Sequence, residues 1–204
     1  ALGNAKKELL HLGNYAAKAF DLSYDYIVNL DEKLAEKGHK TEEAINTIDE
    51  KLTRYLISLS SESLSQKESE ILTNILDSSR DLERIGDHAE GLINLTDYLQ
   101  RKNVQFSEAA LKELAEIYHA TTEFIKDALD SVENNDTEKA QSLIERHKEI
   151  NNMERILRKT HIKRLNKGEC STQAGVNFID IISHYTRVSD HAMNLAEKVI
   201  AEQI

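Results

Sequence analysis

The chain contains no proline and only 7 glycines among its 204 residues. Proline breaks helices and glycine weakens them, so the scarcity of both favours a few long helices joined by short turns. Apolar residues recur with a period near 3.6 along nearly the entire sequence, which is typical of amphipathic helices. The pattern predicts six helices, at about residues 3–37, 42–61, 66–101, 108–134, 137–166 and 172–203.

Residues that favour helix ends support these boundaries. Ser65 and Glu68 form the pattern of a capping box, in which each side chain accepts a hydrogen bond from the backbone N–H of the other residue. Ser107 and Asp136 are suited to accept hydrogen bonds from the free N–H groups of the helix that follows. Glycine and asparagine favour the backbone conformation in which helices end, and they occur at Gly38, Asn134-Asn135 and Gly168.

The two halves of the sequence resemble each other, which indicates an internal duplication. A shift of 105 residues places Lys7-Glu8-Leu9 on Lys112-Glu113-Leu114. A shift of 103 residues places Asp87-His88-Ala89 on Asp190-His191-Ala192. Because short loops make successive helices antiparallel neighbours, we expect an all-α fold of six long helices. The helices would form two tandem, duplicated, antiparallel three-helix bundles, at residues 1–103 and 104–204.

The composition excludes several classes of function. The formal net charge of −10 disfavours nucleic-acid binding, because phosphate backbones repel an acidic protein. A single cysteine rules out an internal disulfide and fits a reducing compartment. No apolar run approaches the length of about 20 residues that a membrane-spanning helix needs. No glycine-rich phosphate loop is present, so nucleotide hydrolysis has no support.

Three acidic residues of the third predicted helix, Glu83, Asp87 and Glu90, follow i, i+4, i+7 spacing and therefore share one face. Gly86 lies at the edge of this face, where it would let a neighbouring helix come close. Asp49 on the second predicted helix is placed to approach the three carboxylates. Stacked carboxylates repel one another, and a divalent cation with its preference for oxygen ligands would offset that repulsion. The pattern therefore predicts a metal site, and the competing interpretation is a solvated acidic face with arginine neighbours.

The second half carries a poorer version of this acidic stripe. Asp190 and Glu154 occupy the positions equivalent to the two aspartates of the first half, and both are candidate metal ligands. Thr186 and Met193 replace the two glutamates, so the second set offers fewer oxygen ligands.

A basic segment runs along the fifth predicted helix of this acidic chain. It contains six candidate docking residues: Arg155, Arg158, Lys159, Lys163, Arg164 and Lys167. Such a segment suits anionic lipid headgroups or an acidic partner surface. The alternative is that these cations complement the helix dipole near its C-terminus and pair with acidic neighbours.

The stretch LERIGDHAEGL at residues 82–92 resembles the signature of PhoU-like domains, which are tandem three-helix bundles. The stretch LRKTHIKRLNKGECSTQA at residues 157–174 is similar to the PhoU-like domain on the C-terminal side of bacterial sodium/phosphate cotransporters. The opening ALGNAKKELLHLGNYA resembles the entry into that domain. The resemblance covers essentially the entire chain.

This resemblance implies a regulatory or interaction module, not an enzyme, that controls phosphate transport. PhoU proteins act as negative regulators of phosphate uptake and signalling. The cotransporter-linked type implies a domain at the cytoplasmic face of the bacterial inner membrane, whose partner is a transmembrane phosphate-transport domain in the same chain. The alternative is a stand-alone PhoU-type regulator. A homodimer is a further expectation.

The family resemblance also implies a cofactor, since some PhoU-like proteins bind iron or zinc through Glu/Asp-x-x-x-Asp motifs. Glu83-x-x-x-Asp87 matches this motif, whereas Thr186-x-x-x-Asp190 lacks the first acid. We therefore expect iron, zinc or another divalent metal at the Glu83/Asp87 stripe.

A different class of function is a di-iron carboxylate enzyme, which uses Glu-x-x-His motifs on the helices of a bundle. The sequence contains Glu8-x-x-His11 and Glu116-x-x-His119. Under the duplication these two motifs are not equivalent, so the sequence gives this interpretation less support than the regulatory one.

Overall fold

The computed structural model describes all 204 residues and is entirely helical. Its six helices are α1 Leu2–Asn29, α2 Glu32–Ser60, α3 Gln66–Arg101, α4 Glu108–Asn134, α5 Thr137–Asn166 and α6 Thr172–Ile200. The predicted all-α fold of six long helices is therefore confirmed. None of the helices combines the length and the apolar character that crossing a membrane requires.

The predicted caps at three helix starts form as expected. The Ser65 hydroxyl accepts a hydrogen bond from the backbone N–H of Glu68 at 3.1 Å, and the Glu68 carboxylate accepts one from the backbone N–H of Ser65 at 3.3 Å. At the starts of α4 and α5, Ser107 accepts a hydrogen bond from the backbone N–H of Ala110 and Asp136 accepts one from that of Lys139. These side chains satisfy N–H groups that the first helical turn leaves free.

The first turn of the chain lies earlier than the sequence predicted. Leu30 ends α1 in a left-handed conformation with φ of 56°, and Asp31 caps α2 by accepting a hydrogen bond from Lys33. Gly38, which we expected at a helix end, lies buried inside α2. A Cβ atom there would stand 2.3 Å from Cδ1 of Ile93 on α3, so this glycine permits close packing and does not end a helix.

The six helices pack as two groups of three. α1, α2 and α3 contact one another, as do α4, α5 and α6, and the groups meet through α3 with α6 and α1 with α4. α2 contacts only α1 and α3, and α5 contacts only α4 and α6. α2 and α5 therefore lie on opposite outer edges of the molecule, each with one face free of helix partners.

A single hydrophobic core runs through both groups of helices. Its 40 buried residues come from all six helices. The Phe20 ring of α1 lies between Tyr118 of α4 and Tyr185 of α6, with centroid distances of 5.7 and 5.1 Å. Separation of the two groups would expose apolar surface from both, so the shared core opposes their independent movement. The repeat boundary between residues 103 and 104 stays a prediction.

Candidate functional site

The predicted carboxylates of α3 lie half-buried where α2 packs against α3. Burial raises the pKa of Glu83, and the neighbouring carboxylates of Asp87 and Asp49 raise it further. Burial and the nearby Glu90 and Asp87 likewise raise the pKa of Glu42 on α2. The structure thus brings together five carboxylates, the acidic cluster: Glu42, Asp49, Glu83, Asp87 and Glu90.

Asp49 is the member of the acidic cluster that buries a carboxylate oxygen without a hydrogen bond. Its Oδ1 atom is buried and has no hydrogen-bond partner. Burial raises the pKa of this carboxyl group more than the Ser79 hydroxyl and the nearby Arg80 lower it. An oxygen in this condition favours a proton or a cation, because a buried charge without a partner is costly.

Gly86 lets α2 and α3 approach closely beside the acidic cluster, as the sequence predicted. A Cβ atom at this position would stand 3.0 Å from Cδ1 of Ile45, which is fully buried on α2. This close approach is what places carboxylates of two helices within reach of one another.

The two candidate ligands of the second half lie elsewhere and are held by basic side chains of α5. Oδ1 of Asp190 lies 2.7 Å from Nε2 of His147, within hydrogen-bond distance. Glu154 is buried and pairs with Arg158 one helical turn along α5. Under the duplication, Glu42 corresponds to His147 and Asp87 to Asp190. The two neighbouring acids Glu42 and Asp87 of the first half are thus replaced by a histidine and an acid in the second.

The acidic cluster has the right chemistry for a divalent cation but does not present a formed coordination group. Carboxylate oxygens suit hard cations. However, no set of three or more histidine, cysteine, aspartate or glutamate side chains in the chain has the arrangement that would hold a metal ion. As they stand in the structure, these side chains do not fit a metal without moving.

The basic segment of α5 divides into exposed and inward-facing residues. Arg155, Lys159, Lys163 and Lys167 are exposed and form no ion pair. Arg158 pairs with Glu154, as noted above. The structure therefore leaves four cations of the six candidate docking residues free for a partner.

Arg164 faces inward and belongs to the packing between α5 and α4. Its Nη1 atom donates to Oε1 of Glu113 at 2.7 Å. The buried His161 ring lies beside the same carboxylate and stacks on Phe178 at a centroid distance of 3.7 Å. The alternative interpretation of the basic segment, pairing with acidic neighbours, therefore holds for Arg164 and Arg158.

A polar junction that the sequence reasoning missed lies between α3 and α6. Nδ1 of His88 is 2.9 Å from Nδ1 of His184, and Nδ1 of His191 is 2.9 Å from Oδ1 of Asp81. A shift of 103 residues turns the pair Asp81–His191 into the pair His184–His88, so the two contacts are equivalent under the duplication. This junction joins the two groups of helices.

Two histidines of this junction, His88 and His184, are held in their neutral form. Burial, together with the nearby His184, His191, Arg84 and Arg187, lowers the pKa of His88 to about 4. Burial also lowers the pKa of His184. A contact between two Nδ1 atoms needs a single shared proton, because one ring must donate and the other must accept.

The two Glu-x-x-His motifs do not form a di-iron centre. Glu8 and His11 are more than half exposed on α1, and Glu116 and His119 are exposed on α4. Di-iron sites of helical bundles lie in the bundle interior, whereas these four side chains face the solvent.

Family comparison identifies the chain more closely than its geometry does. A family model described as the PhoU domain matches residues 9–96 and 114–199, one segment in each group of helices. A Thermotoga maritima protein named phosphate-specific transport system accessory protein PhoU homolog 1 is 28% identical over 200 residues, which are 98% of this chain and 78% of that protein. A Clostridium acetobutylicum PhoU homolog of the same description is 22% identical over 199 residues, 95% of this chain and 88% of that protein.

Solved structures show the same fold. PhoU from Pseudomonas aeruginosa superposes with a TM-score of 0.88 and 22% identity over 98% of this chain and 95% of that one. The phosphate transport system regulatory protein PhoU from Streptococcus pneumoniae superposes with a TM-score of 0.87 and 23% identity over 100% of this chain and 97% of that one. The fold is therefore shared along nearly the entire length.

Proposed function

Because the chain belongs to the PhoU domain family, we propose that it is a regulatory accessory protein of a phosphate-specific transport system. The observation that carries this proposal is the family match in both groups of helices, together with relatives named as accessory proteins of such systems. The resemblance to PhoU-like domains is confirmed. Family membership also confirms that the chain is not an enzyme, since these relatives are accessory proteins.

We favour a stand-alone regulator over a domain of a transporter. The aligned part makes up most of each curated relative, which leaves those proteins no room for a transport domain of several membrane-spanning segments. The cotransporter-linked alternative rests on the sequence at residues 157–174 and on the opening residues 1–16. The length of the source gene separates the two, because a transporter needs several additional apolar segments of about 20 residues.

The proposed site of action is the cytoplasmic face of the bacterial membrane, where the chain would contact a transmembrane transport component. Free cations on α5 support contact with a negatively charged surface at that location. The shared core favours one rigid arrangement of the two groups of helices. A partner would then act through the surface it covers, and any change of arrangement would have to break the junction of α3 and α6.

Uptake of labelled phosphate by the source bacterium tests this function. Deletion of the gene should raise uptake when phosphate is abundant, and the wild-type chain supplied in trans should restore regulation. Cells in which deletion leaves uptake unchanged at both low and high phosphate would contradict the proposal. The double variant Glu8→Gln/Glu116→Gln, which alters only exposed acids of α1 and α4, serves as a matched control and should restore regulation.

A second candidate property is divalent metal binding by the acidic cluster. The unpartnered Asp49 oxygen and the mutual repulsion of the half-buried carboxylates support it. Side chains of Glu83 and Asp87 would have to rotate to form a coordination group. Elemental analysis of protein purified without a metal-affinity tag, beside Glu83→Gln/Asp87→Asn, tests this. Stoichiometric iron, zinc or manganese that the double variant loses would support it, and equal metal content in both samples would refute it.

A further inference from the structure

The outer face of the C-terminal half of α5, which we call the α5 face, carries positive charge without compensating acids. Arg155, Lys159 and Lys163 are exposed there and form no ion pair. The acid within this part of the helix is Glu154, which is buried on the other side and paired with Arg158. The α5 face is therefore locally cationic in a chain whose net charge is −10.

Two exposed isoleucines lie among these cations. Ile156 is 54% exposed and Ile162 is 43% exposed. The spacing of residues 155, 156, 159, 162 and 163 follows i, i+1, i+4, i+7 and i+8, which places them on one stripe of the helix. Exposed isoleucines between unpaired lysines combine an apolar contact with long, flexible cationic side chains.

The shape of the α5 face fits a flat partner. α5 contacts only α4 and α6, so this face is the convex outside of a single helix. Five cavities spread over the molecule include none of its residues. A convex stripe offers no groove for a peptide or a helix, whereas it lies readily along a planar surface.

The duplication supplies an internal comparison. Under the shift of 105 residues, the α5 face corresponds to a face of α2 that mixes acids and bases: Glu50, Lys51, Arg54, Ile57 and Ser58. Both faces are outer surfaces, and both contain an exposed isoleucine, Ile57 in α2 being 60% exposed. The concentration of positive charge is therefore a property of α5 and not of the repeated fold.

We propose that the α5 face binds the surface of an anionic phospholipid bilayer. The axis of α5 would lie parallel to the bilayer, with Lys159 and Lys163 at lipid phosphates and the two isoleucines between headgroups. The acidic remainder of the chain is repelled by the same surface, which fixes the orientation of binding. This inference goes beyond the proposed function, because an accessory protein can regulate a transporter without touching lipid.

Sedimentation of the full chain with lipid vesicles tests the proposal. Vesicles of one part phosphatidylglycerol and two parts phosphatidylcholine should bind the chain at low salt, and vesicles of phosphatidylcholine alone should not. Each cation near an anionic surface changes partitioning by about fivefold, so Lys159→Gln/Lys163→Gln should weaken binding by about thirtyfold. The double variant Lys51→Gln/Arg54→Gln removes the same charge from the equivalent face of α2 and should bind like the wild type.

Three results would overturn the proposal. The first is no binding to anionic vesicles at low salt, and the second is equal binding to anionic and neutral vesicles. The third is an equal loss in the α5 and α2 double variants, which would mean that total charge and not the α5 face governs binding. Equal melting temperatures of the variants establish that all compared proteins are folded. Because the readout is lipid binding, its failure leaves the uptake test of the proposed function unaffected.

Discussion

The histidine junction between α3 and α6 predicts that acid destabilises the fold. His88 is 8% exposed, and burial, followed by the nearby His184 and His191, lowers its pKa to about 4 from its ordinary 6.5. The unfolded chain recovers the ordinary value, so it binds a proton first as the pH falls. The contribution of neutral His88 to the free energy of unfolding is therefore fully present above about pH 6.5 and is lost progressively as the pH falls toward about 4.

The size of this loss follows from the two pKa values. Between about pH 7.5 and about pH 5, His88 alone should lower the free energy of unfolding by about 2 kcal/mol. That is a substantial part of the total of about 5–15 kcal/mol that folded domains possess. The lowered pKa of His184 acts in the same direction.

Urea unfolding followed by circular dichroism measures the effect at both pH values. His88→Gln cannot take up the proton, so its stability difference between the two pH values should be smaller than that of the wild type by about 2 kcal/mol. His119→Gln, at an exposed position on α4, serves as the control and should keep the wild-type difference. An identical pH dependence in His88→Gln and the wild type would refute the reasoning that burial at the junction keeps His88 neutral.

Three further predictions concern stability. Burial and neighbouring carboxylates raise the pKa of Glu83, so the charged form of Glu83 destabilises the fold at neutral pH, and this penalty disappears in acid. Glu83→Gln should therefore raise the free energy of unfolding in urea by a few tenths of a kcal/mol at neutral pH and not at about pH 4. A lower stability of the variant at neutral pH would contradict this. A Cβ atom at Gly175 would stand 2.6 Å from Cγ of Leu165, so Gly175→Ala should lower the free energy of unfolding by about 1–2 kcal/mol. A Cβ atom at Gly3 would have nothing within 4 Å, so Gly3→Ala should raise it. Equal melting temperatures of the two variants would refute this contrast. Ser65→Ala removes the cap of α3 and should cost about 1 kcal/mol in thermal unfolding, while the exposed Ser69→Ala should cost less.

The duplication made most of the fold predictable from the sequence. Four of the six helices begin and end near the expected residues, and α1 begins and α2 ends near them, because caps are local signals that act within a few residues. The turn at Leu30 was missed because Gly38 was interpreted as a helix end. A signal was present, since the shift of 105 residues places Asn134-Asn135-Asp136, a recognised turn, on Asn29-Leu30-Asp31.

The site was predictable along α3, and Asp49 was the one residue of another helix that the sequence placed in it. Glu83, Asp87 and Glu90 share a face by spacing alone, and the structure places them together. Glu42 and His184 were missed because each joins its cluster from another helix, and periodicity carries no information on which helices meet. Contacts between helices depend on packing, which glycines such as Gly86 permit but do not specify.

Reconstituted transport tests the central claim most directly. The purified chain would be added to the cytoplasmic side of membrane vesicles that contain the phosphate transport system of the source bacterium, and the rate of phosphate transport would be measured against chain concentration. The account predicts a saturable decrease in the rate that boiled protein does not produce. A rate that stays constant up to an excess of chain over transporter would contradict the claim that this protein regulates phosphate transport.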